Sequence, residues 1–172
     1  MIFCEVQLCV GCRICEVTCS RDHFGAVSPS LSRIRVAKLE DTGIELAVAC
    51  MSCAEKPCLE CPTGALSVAP NGPILLDSTL CNSCMTCYDA CPVGAVGFTD
   101  GRPLLCDLCG GSASCVAACP SRALSNPQEY RDLPLAAYMP VQGNPAERRA
   151  RYACEQGSAL RTRWKNGERA ES

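Results

Sequence analysis

Eighteen of the 172 residues are cysteine, and their spacing decides which chemistry is open to them. The tightest run is Cys81-Asn-Ser-Cys84-Met-Thr-Cys87-Tyr-Asp-Ala-Cys91-Pro92. Three thiolates at intervals of three, a fourth four residues later and a proline after it form the spacing that holds [4Fe–4S] cubes. Three sulfurs serve one cube and the fourth reaches a second. Two-residue gaps let a tight loop aim successive sulfurs at three corners of a cube. The longer step carries the chain into a short helix, so its last sulfur faces away. Pro92 then stops that helix, and Gly94-Ala95 allow close backbone passage into a strand. Structural zinc favours two separated cysteine pairs, so it fits this run poorly.

Three further runs repeat the pattern with variations. The first holds Cys9, Cys12, Cys15 and Cys19, with Ser20 in the place of the proline. The second holds Cys50, Cys53, Cys58 and Cys61, with a longer middle gap and only two residues before the last cysteine. The fourth holds Cys106, Cys109, Cys115 and Cys119, interrupted by Gly110-Gly-Ser, which reads as a flexible insertion. Sixteen ligands suffice for four [4Fe–4S] clusters with none incomplete. Cys4 and Cys154 fall outside the runs, and Cys4 reads as a free, partly buried thiol. The single histidine, His23, reads as an ordinary surface or loop residue; no Cys-x-x-Cys-His exists, which excludes c-type haem. No catalytic residue is assigned: Gly110-Gly-Ser lacks a P-loop lysine and no GxGxxG follows a strand, so the chain is expected not to be an enzyme.

Short α+β elements must position these sulfurs. Residues 31–39 alternate apolar and polar side chains, turn at Asp41-Thr-Gly43 and return through Ile44–Val48. Further hairpins are expected from Leu66–Val68 through Asn71-Gly72 to Ile74–Leu76, and from Val96–Phe98 through Asp100-Gly101 to Leu104-Leu105. Each run is thus a cysteine loop, a short helix and a strand, repeated four times over residues 1–125. From residue 126 the pattern stops. Pro127, Pro134 and Pro140 punctuate an extended segment, and Asn144-Pro145-Ala-Glu147 is a helix start with an N-cap, an N1 proline and a third-position acid. A helix over 145–156 would carry Arg148, Arg149, Arg151 and Cys154. Residues 126–172 form a slightly basic arm on an acidic body, read as a docking arm with Trp164 as a possible anchor.

The formal charge of −2 counts cysteines as neutral. An oxidised cube with four thiolates carries about −2, so four would bring the loaded chain to about −10, which argues against a nucleic-acid partner. Eight aromatics are few for a conventional core, so clusters are expected to fill the interior and the metal-free chain to fold poorly. No apolar run approaches the length needed to span a bilayer. The start Met1-Ile-Phe-Cys4-Glu5 shows neither a basic region before an apolar stretch nor a twin arginine, so a cytoplasmic location is expected.

The four runs, Cys-Asp-Leu-Cys at 106–109 and Cys-Pro-x-Gly-Ala at 61–65 and 91–95 resemble the four-cluster ferredoxin-like subunits of molybdenum and tungsten pterin oxidoreductases. Such subunits serve formate dehydrogenases, formate hydrogenlyase, dimethyl sulfoxide reductase and tungsten aldehyde oxidoreductases. The resemblance spans residues 1–125 and departs from the family at the shorter Cys58–Cys61 gap and the short loop after Cys109. It implies two pseudo-symmetric bacterial-ferredoxin-like modules, an inner one (45–100) and an outer one (1–30 with 101–125) wrapped around it. It also implies crosswise ligand sets: Cys9, Cys12, Cys15 with Cys119; Cys106, Cys109, Cys115 with Cys19; Cys50, Cys53, Cys58 with Cys91; and Cys81, Cys84, Cys87 with Cys61. The function implied is an electron-transfer subunit between a pterin-containing catalytic subunit, by size most like that of a tungsten aldehyde oxidoreductase, and an acceptor such as a flavin subunit or a ferredoxin. Two other readings stand beside it: a connector that binds copies of itself into filaments through the arm, and a freely diffusing polyferredoxin with many clients.

Overall fold

The computed structural model describes residues 1–70, 72–126 and 135–166. Pro127, Pro134 and Asn71 lie outside these, as does the side chain of Trp164. The described residues mix short helices with short antiparallel strand pairs, compatible with the α+β expectation. None of their helices is long and apolar enough to cross a membrane.

Strands β2 (Arg35–Leu39) and β3 (Ile44–Val48) form the longest hairpin. At its turn the amides of Thr42 and Gly43 donate to the Leu39 carbonyl at 3.0 and 2.8 Å. Strands β4 (Leu66–Val68) and β5 (Ile74–Leu76) pair next, then β6 (Gly97–Thr99) with β7 (Arg102–Leu104). Asp100 (φ 46°) and Gly101 (φ 73°) are both left-handed, as a two-residue type I′ turn requires. Strands β1 (Phe3–Cys4) and β8 (Leu124–Ser125) pair the two ends of the cysteine-rich region.

The β2–β3 hairpin is a wall between two cores. Successive strand residues face opposite sides. Ile44, Leu46 and Val48, with Ala37 opposite Leu46, pack into a core with Cys87, Cys91 and Val93. Ala47, with Val36 opposite it, packs into a second core with Cys15, Cys19 and Cys115.

Three helices sit inside cysteine runs: α1 (Ile14–Phe24), α2 (Thr86–Ala90) and α3 (Ser114–Ala117). The last two are short, as expected, but α1 runs for 11 residues. Without a proline the chain stays helical past Cys19, the Ser20 hydroxyl donates to the Val17 carbonyl, and the helix ends only at left-handed Gly25. In the second run the short gap before Cys61 leaves room for a single 3₁₀ turn, Pro57–Leu59. In the fourth run a tight turn covers Leu108–Gly111, kinked at left-handed Cys109 (φ 50°) and Gly110 (φ 64°), with Ser112 at its end.

Helix α4 (Pro145–Lys165) starts where the sequence places it. The Asn144 side chain accepts from the amides of Ala146 and Glu147 at 2.9 and 3.0 Å, and the Glu147 carboxylate accepts from the Asn144 amide at 2.8 Å. It extends nine residues beyond the expected end at 156. Gly157 does not break it, because a hydrogen in place of a side chain is what lets the helix lie on Ile44. Tyr152, Ala153, Gly157 and Leu160 form its buried stripe, and the helix rests on β2 and β3 of its own chain.

Candidate metal centres

The four cysteine runs share a backbone signature. Two residues after the first cysteine of each run the chain turns left-handed, at Gly11 (φ 57°), Ser52 (φ 47°), Ser83 (φ 63°) and Leu108 (φ 58°). Two residues before the third cysteine it does so again, at Arg13 (φ 61°), Lys56 (φ 40°), Met85 (φ 63°) and Ala113 (φ 45°). Seven of these eight are not glycine, and each such residue costs about 1–2 kcal/mol. Strain repeated at equivalent positions has a common cause. Left-handed residues interleaved with right-handed ones turn successive N–H groups inward, making a concavity that binds anions. The amides of Gly11, Ser52, Lys56 and Leu108 hydrogen-bond the sulfurs of Cys9, Cys50, Cys53 and Cys106. The Ala95 amide reaches Cys91 Sγ at 3.2 Å and the Arg33 amide reaches Cys19 Sγ at 3.3 Å.

Cysteines distant in sequence converge. One apolar cavity is lined by Cys50, Cys53, Cys58 and Cys91. A second is lined by Cys61, Cys81, Cys84 and Cys87, and a third by Cys9, Cys12, Cys15 and Cys119. No histidine or carboxylate lines any of the three, so the donor set is sulfur alone, which suits an iron–sulfur cube. The remaining four are also neighbours: Cys19 and Cys115 act on Cys106, and Cys19 and Cys109 act on Cys115, each by its charge.

Burial raises several of these thiols, whereas the Thr63 hydroxyl with nearby amides lowers Cys61, and amides with the Ser121 hydroxyl outweigh burial and lower Cys119. Burial pushes Cys15, Cys58 and Cys115 up to about 12 and Cys50 and Cys87 up to about 11. Neighbouring sulfurs add to the rise across group boundaries. Cys115 acts on Cys15, Cys50 on Cys106, and Cys87 on Cys58. The groups therefore follow one another in a row: the one ending in Cys119, the one containing Cys19 and Cys106, the one ending in Cys91, and the one built on Cys61. At the two ends of this row Cys12 and Cys84 are exposed. Exposed apolar side chains flank both, Leu8, Val10 and Ile14 near the first and Leu80 and Met85 near the second.

Three features escape a reading of the sequence. His23 is no loop residue: it lies on α1 with its ring largely buried, Nδ1 at 2.8 Å from the Cys19 carbonyl and Nε2 at 3.0 Å from Asp107. Arg33 meets the other Asp107 oxygen at 2.6 Å, and that carboxylate also accepts from the Cys109 amide at 3.0 Å. Burial pulls Asp107 up, but Arg33, the Cys109 amide and His23 outweigh it and leave its carboxyl lowered. Cys4, half-buried on β1, donates its thiol to Cys9, lowering Cys9 and raising itself. Finally, Arg148 and Arg149 of α4 turn inward onto the segment around Cys91.

Comparison with known proteins agrees with this chemistry. The 4Fe-4S binding domain family matches residues 74–96, the stretch containing the third run. The chain is 44% identical over 115 residues to the polyferredoxin-like subunit of an aliphatic sulfonate oxidoreductase from Pyrococcus furiosus, covering 64% of this chain and 66% of that one. It is 31% identical over 150 residues to the electron transport protein HydN of Escherichia coli, covering 72% and 85%. It is 30% identical over 145 residues to the B subunit of the anaerobic dimethyl sulfoxide reductase of Escherichia coli, covering 71% and 70%. With left-handed turns repeated in all four runs, and with relatives of this kind along most of its length, the chain belongs to the family of 4Fe–4S polyferredoxin-like electron-transport proteins.

Proposed function

We propose that this chain is a non-catalytic electron-transfer subunit holding four [4Fe–4S] clusters on the crosswise sets Cys9/Cys12/Cys15/Cys119, Cys19/Cys106/Cys109/Cys115, Cys50/Cys53/Cys58/Cys91 and Cys61/Cys81/Cys84/Cys87. The carrying observation is the convergence of each set across long stretches of chain, together with the backbone turns repeated in all four runs. When bound, a cube supplies a one-electron couple. The chain's own part is to hold the cubes in a row, bury the sulfurs and aim amides at them, which tunes their potentials. The two cores on either side of the β2–β3 wall support an outer module (1–30 with 101–125) and an inner one (45–100). Exposed Cys12 and Cys84 are the ends at which electrons enter and leave.

The partner is the catalytic subunit of a cytoplasmic oxidoreductase, and its acceptor a flavin subunit or a ferredoxin. A pterin-containing partner of the tungsten aldehyde oxidoreductase kind follows the family resemblance. The Pyrococcus relative raises aliphatic sulfonates as a second substrate class for such a partner. The electron-transfer reading is preferred to a filament connector because helix α4 of the arm rests on β2 and β3 of its own chain. The deciding experiment is iron and acid-labile sulfide per chain on anaerobically purified protein, with electron paramagnetic resonance of the reduced sample. About sixteen of each with interacting [4Fe–4S] signals is expected. Zinc, or half that iron in intact chain, would break the reading. Tungsten or molybdenum in the co-purified partner then identifies the enzyme served.

A further inference from the structure

Two arginines of α4 point into the protein. Arg148 is 4% exposed. Its Nη1 donates to the carbonyls of Asp89 and Cys91, both at 2.7 Å, and of Tyr88 at 3.3 Å, while Nε donates to Gly143 at 3.0 Å. Arg149 Nη1 donates to the Gly94 carbonyl at 2.7 Å. Carbonyls left open at the end of α2 are thereby satisfied. The approach is so close that a Cβ on Gly94 would collide with the Pro145 carbonyl.

Carbonyls satisfy the hydrogen-bonding of these guanidinium groups but not their charge. Among the described residues no carboxylate lies within ion-pair distance of Arg148 or Arg149. Arg35, a further cation, opposes the charge of Arg149, while Tyr88, the Cys91 sulfur and the buried Glu16 carboxylate, the last beyond ion-pair distance, support it. Buried charge is costly unless an opposite charge offsets it. The Cys50, Cys53, Cys58 and Cys91 sulfurs, brought together beside this segment, are where negative charge would gather.

We propose that Arg148 and Arg149 are the built-in counter-charge of the site formed by Cys50, Cys53, Cys58 and Cys91, raising the reduction potential there. On the four-cube reading above, accepting one electron takes that site from about −2 to about −3, and a fixed buried cation favours the product of that step. The C-terminal helix thereby becomes part of the redox machinery and not only a strut.

The test is a mediator-poised, anaerobic redox titration of the full loaded chain, followed by electron paramagnetic resonance, on wild type, Arg148→Gln, Arg148→Lys and Arg149→Gln. In R148Q the reduced-to-oxidised ratio of one site at fixed poise should fall about tenfold, equivalent to about 59 mV for a one-electron couple. R148K, which keeps the charge but not the guanidinium geometry, should recover most of that shift. R149Q should lower the same midpoint by a smaller factor. Four unmoved midpoints in R148Q with full iron content would overturn the inference alone. Loss of one cube in both R148Q and R148K would overturn it too, because a purely positional clamp behaves that way. Loss in R148Q with retention and a near-normal midpoint in R148K would support it. A wild-type chain with too little iron for four cubes would remove the underlying reading and this one with it.

Discussion

Replacing Gly157 with alanine sets two effects of opposite sign against each other. Alanine in a helix interior is favoured over glycine by about 1 kcal/mol, so propensity alone makes Gly157→Ala stabilising. The structure reverses the sign. A Cβ at position 157 would stand 2.7 Å from both Cδ1 and Cγ1 of Ile44 and 2.8 Å from its Cγ2. Carbon atoms in contact prefer about 3.5–4.0 Å, so three atoms are too close by about 1 Å. Ile44 is 2% exposed and packed within the core, so it cannot swing aside into solvent. Overpacking of this kind costs about 1–3 kcal/mol, and three simultaneous contacts place it at the upper end. The net expectation is a loss of about 1–2 kcal/mol, a fall of about 2–8 °C in apparent Tm for a chain of this length. The assay is thermal unfolding of the loaded protein under anaerobic conditions at one fixed scan rate, since metal-loaded chains need not unfold reversibly. Ile44→Val deletes one of the offending atoms. By itself it costs about 0.5–1.5 kcal/mol, but combined with G157A the pair should be less damaging than the separate losses imply. A rise in apparent Tm for G157A, or strict additivity of the pair, would refute the packing of α4 on β3.

Substituting Cys91 with serine should remove about four irons per chain and leave Ala95 without its sulfur acceptor, whereas Cys154→Ser, on the exposed face of α4, should change nothing; equal iron in both variants would reject the ligand assignment. Loading of metal-free chain should release protons at neutral pH, because burial holds Cys15, Cys58 and Cys115 up to about 12, against an ordinary value of 9.0, and they are protonated there. Loading should therefore strengthen as pH rises from about 7 to about 9. For the weakly folded metal-free chain the slope is reversed: buried thiols bind more protons than exposed ones between about 9 and about 12, so they cost it nothing below that window and destabilise it as pH rises through it. Proton release in a weakly buffered solution checks the first part, and a pH-independent release of zero would sink it.

The hairpins were legible because their turns carry their own chemistry. Asp41-Thr-Gly43 and Asp100-Gly101 demand left-handed or tightly hydrogen-bonded backbone whatever surrounds them. The start of α4 was legible for the same reason, since Asn144 and Glu147 cap each other locally. Its end was not: the expected helix closed at 156, and only the contact of Gly157 with Ile44 on a remote strand explains why it continues. The buried setting of His23 is not legible in the sequence because its partner Asp107 lies far along the chain. Arg148 and Arg149 read as part of a basic docking arm, because nothing adjacent in sequence announces that they face the carbonyls of α2. The left-handed positions around the cysteines fall mostly on residues with no preference for that conformation, so spacing implied the loops but not their strain.

The pairing of β1 with β8 imposes an order on biogenesis. A ribosome that has delivered residues up to Cys91 has already supplied every sulfur lining the two cavities built from the second and third runs. The cavity built on Cys9, Cys12 and Cys15 stays open until Cys119 emerges, roughly a hundred residues later, and the strand that seals it, β8, follows at once. The sulfurs of the second and third runs are therefore complete first, and Cys9, Cys12, Cys15 and Cys19 wait longest for their distant partners. A cell short of iron or exposed to oxygen during synthesis would accumulate chains finished in the middle and vulnerable at the amino-terminal edge.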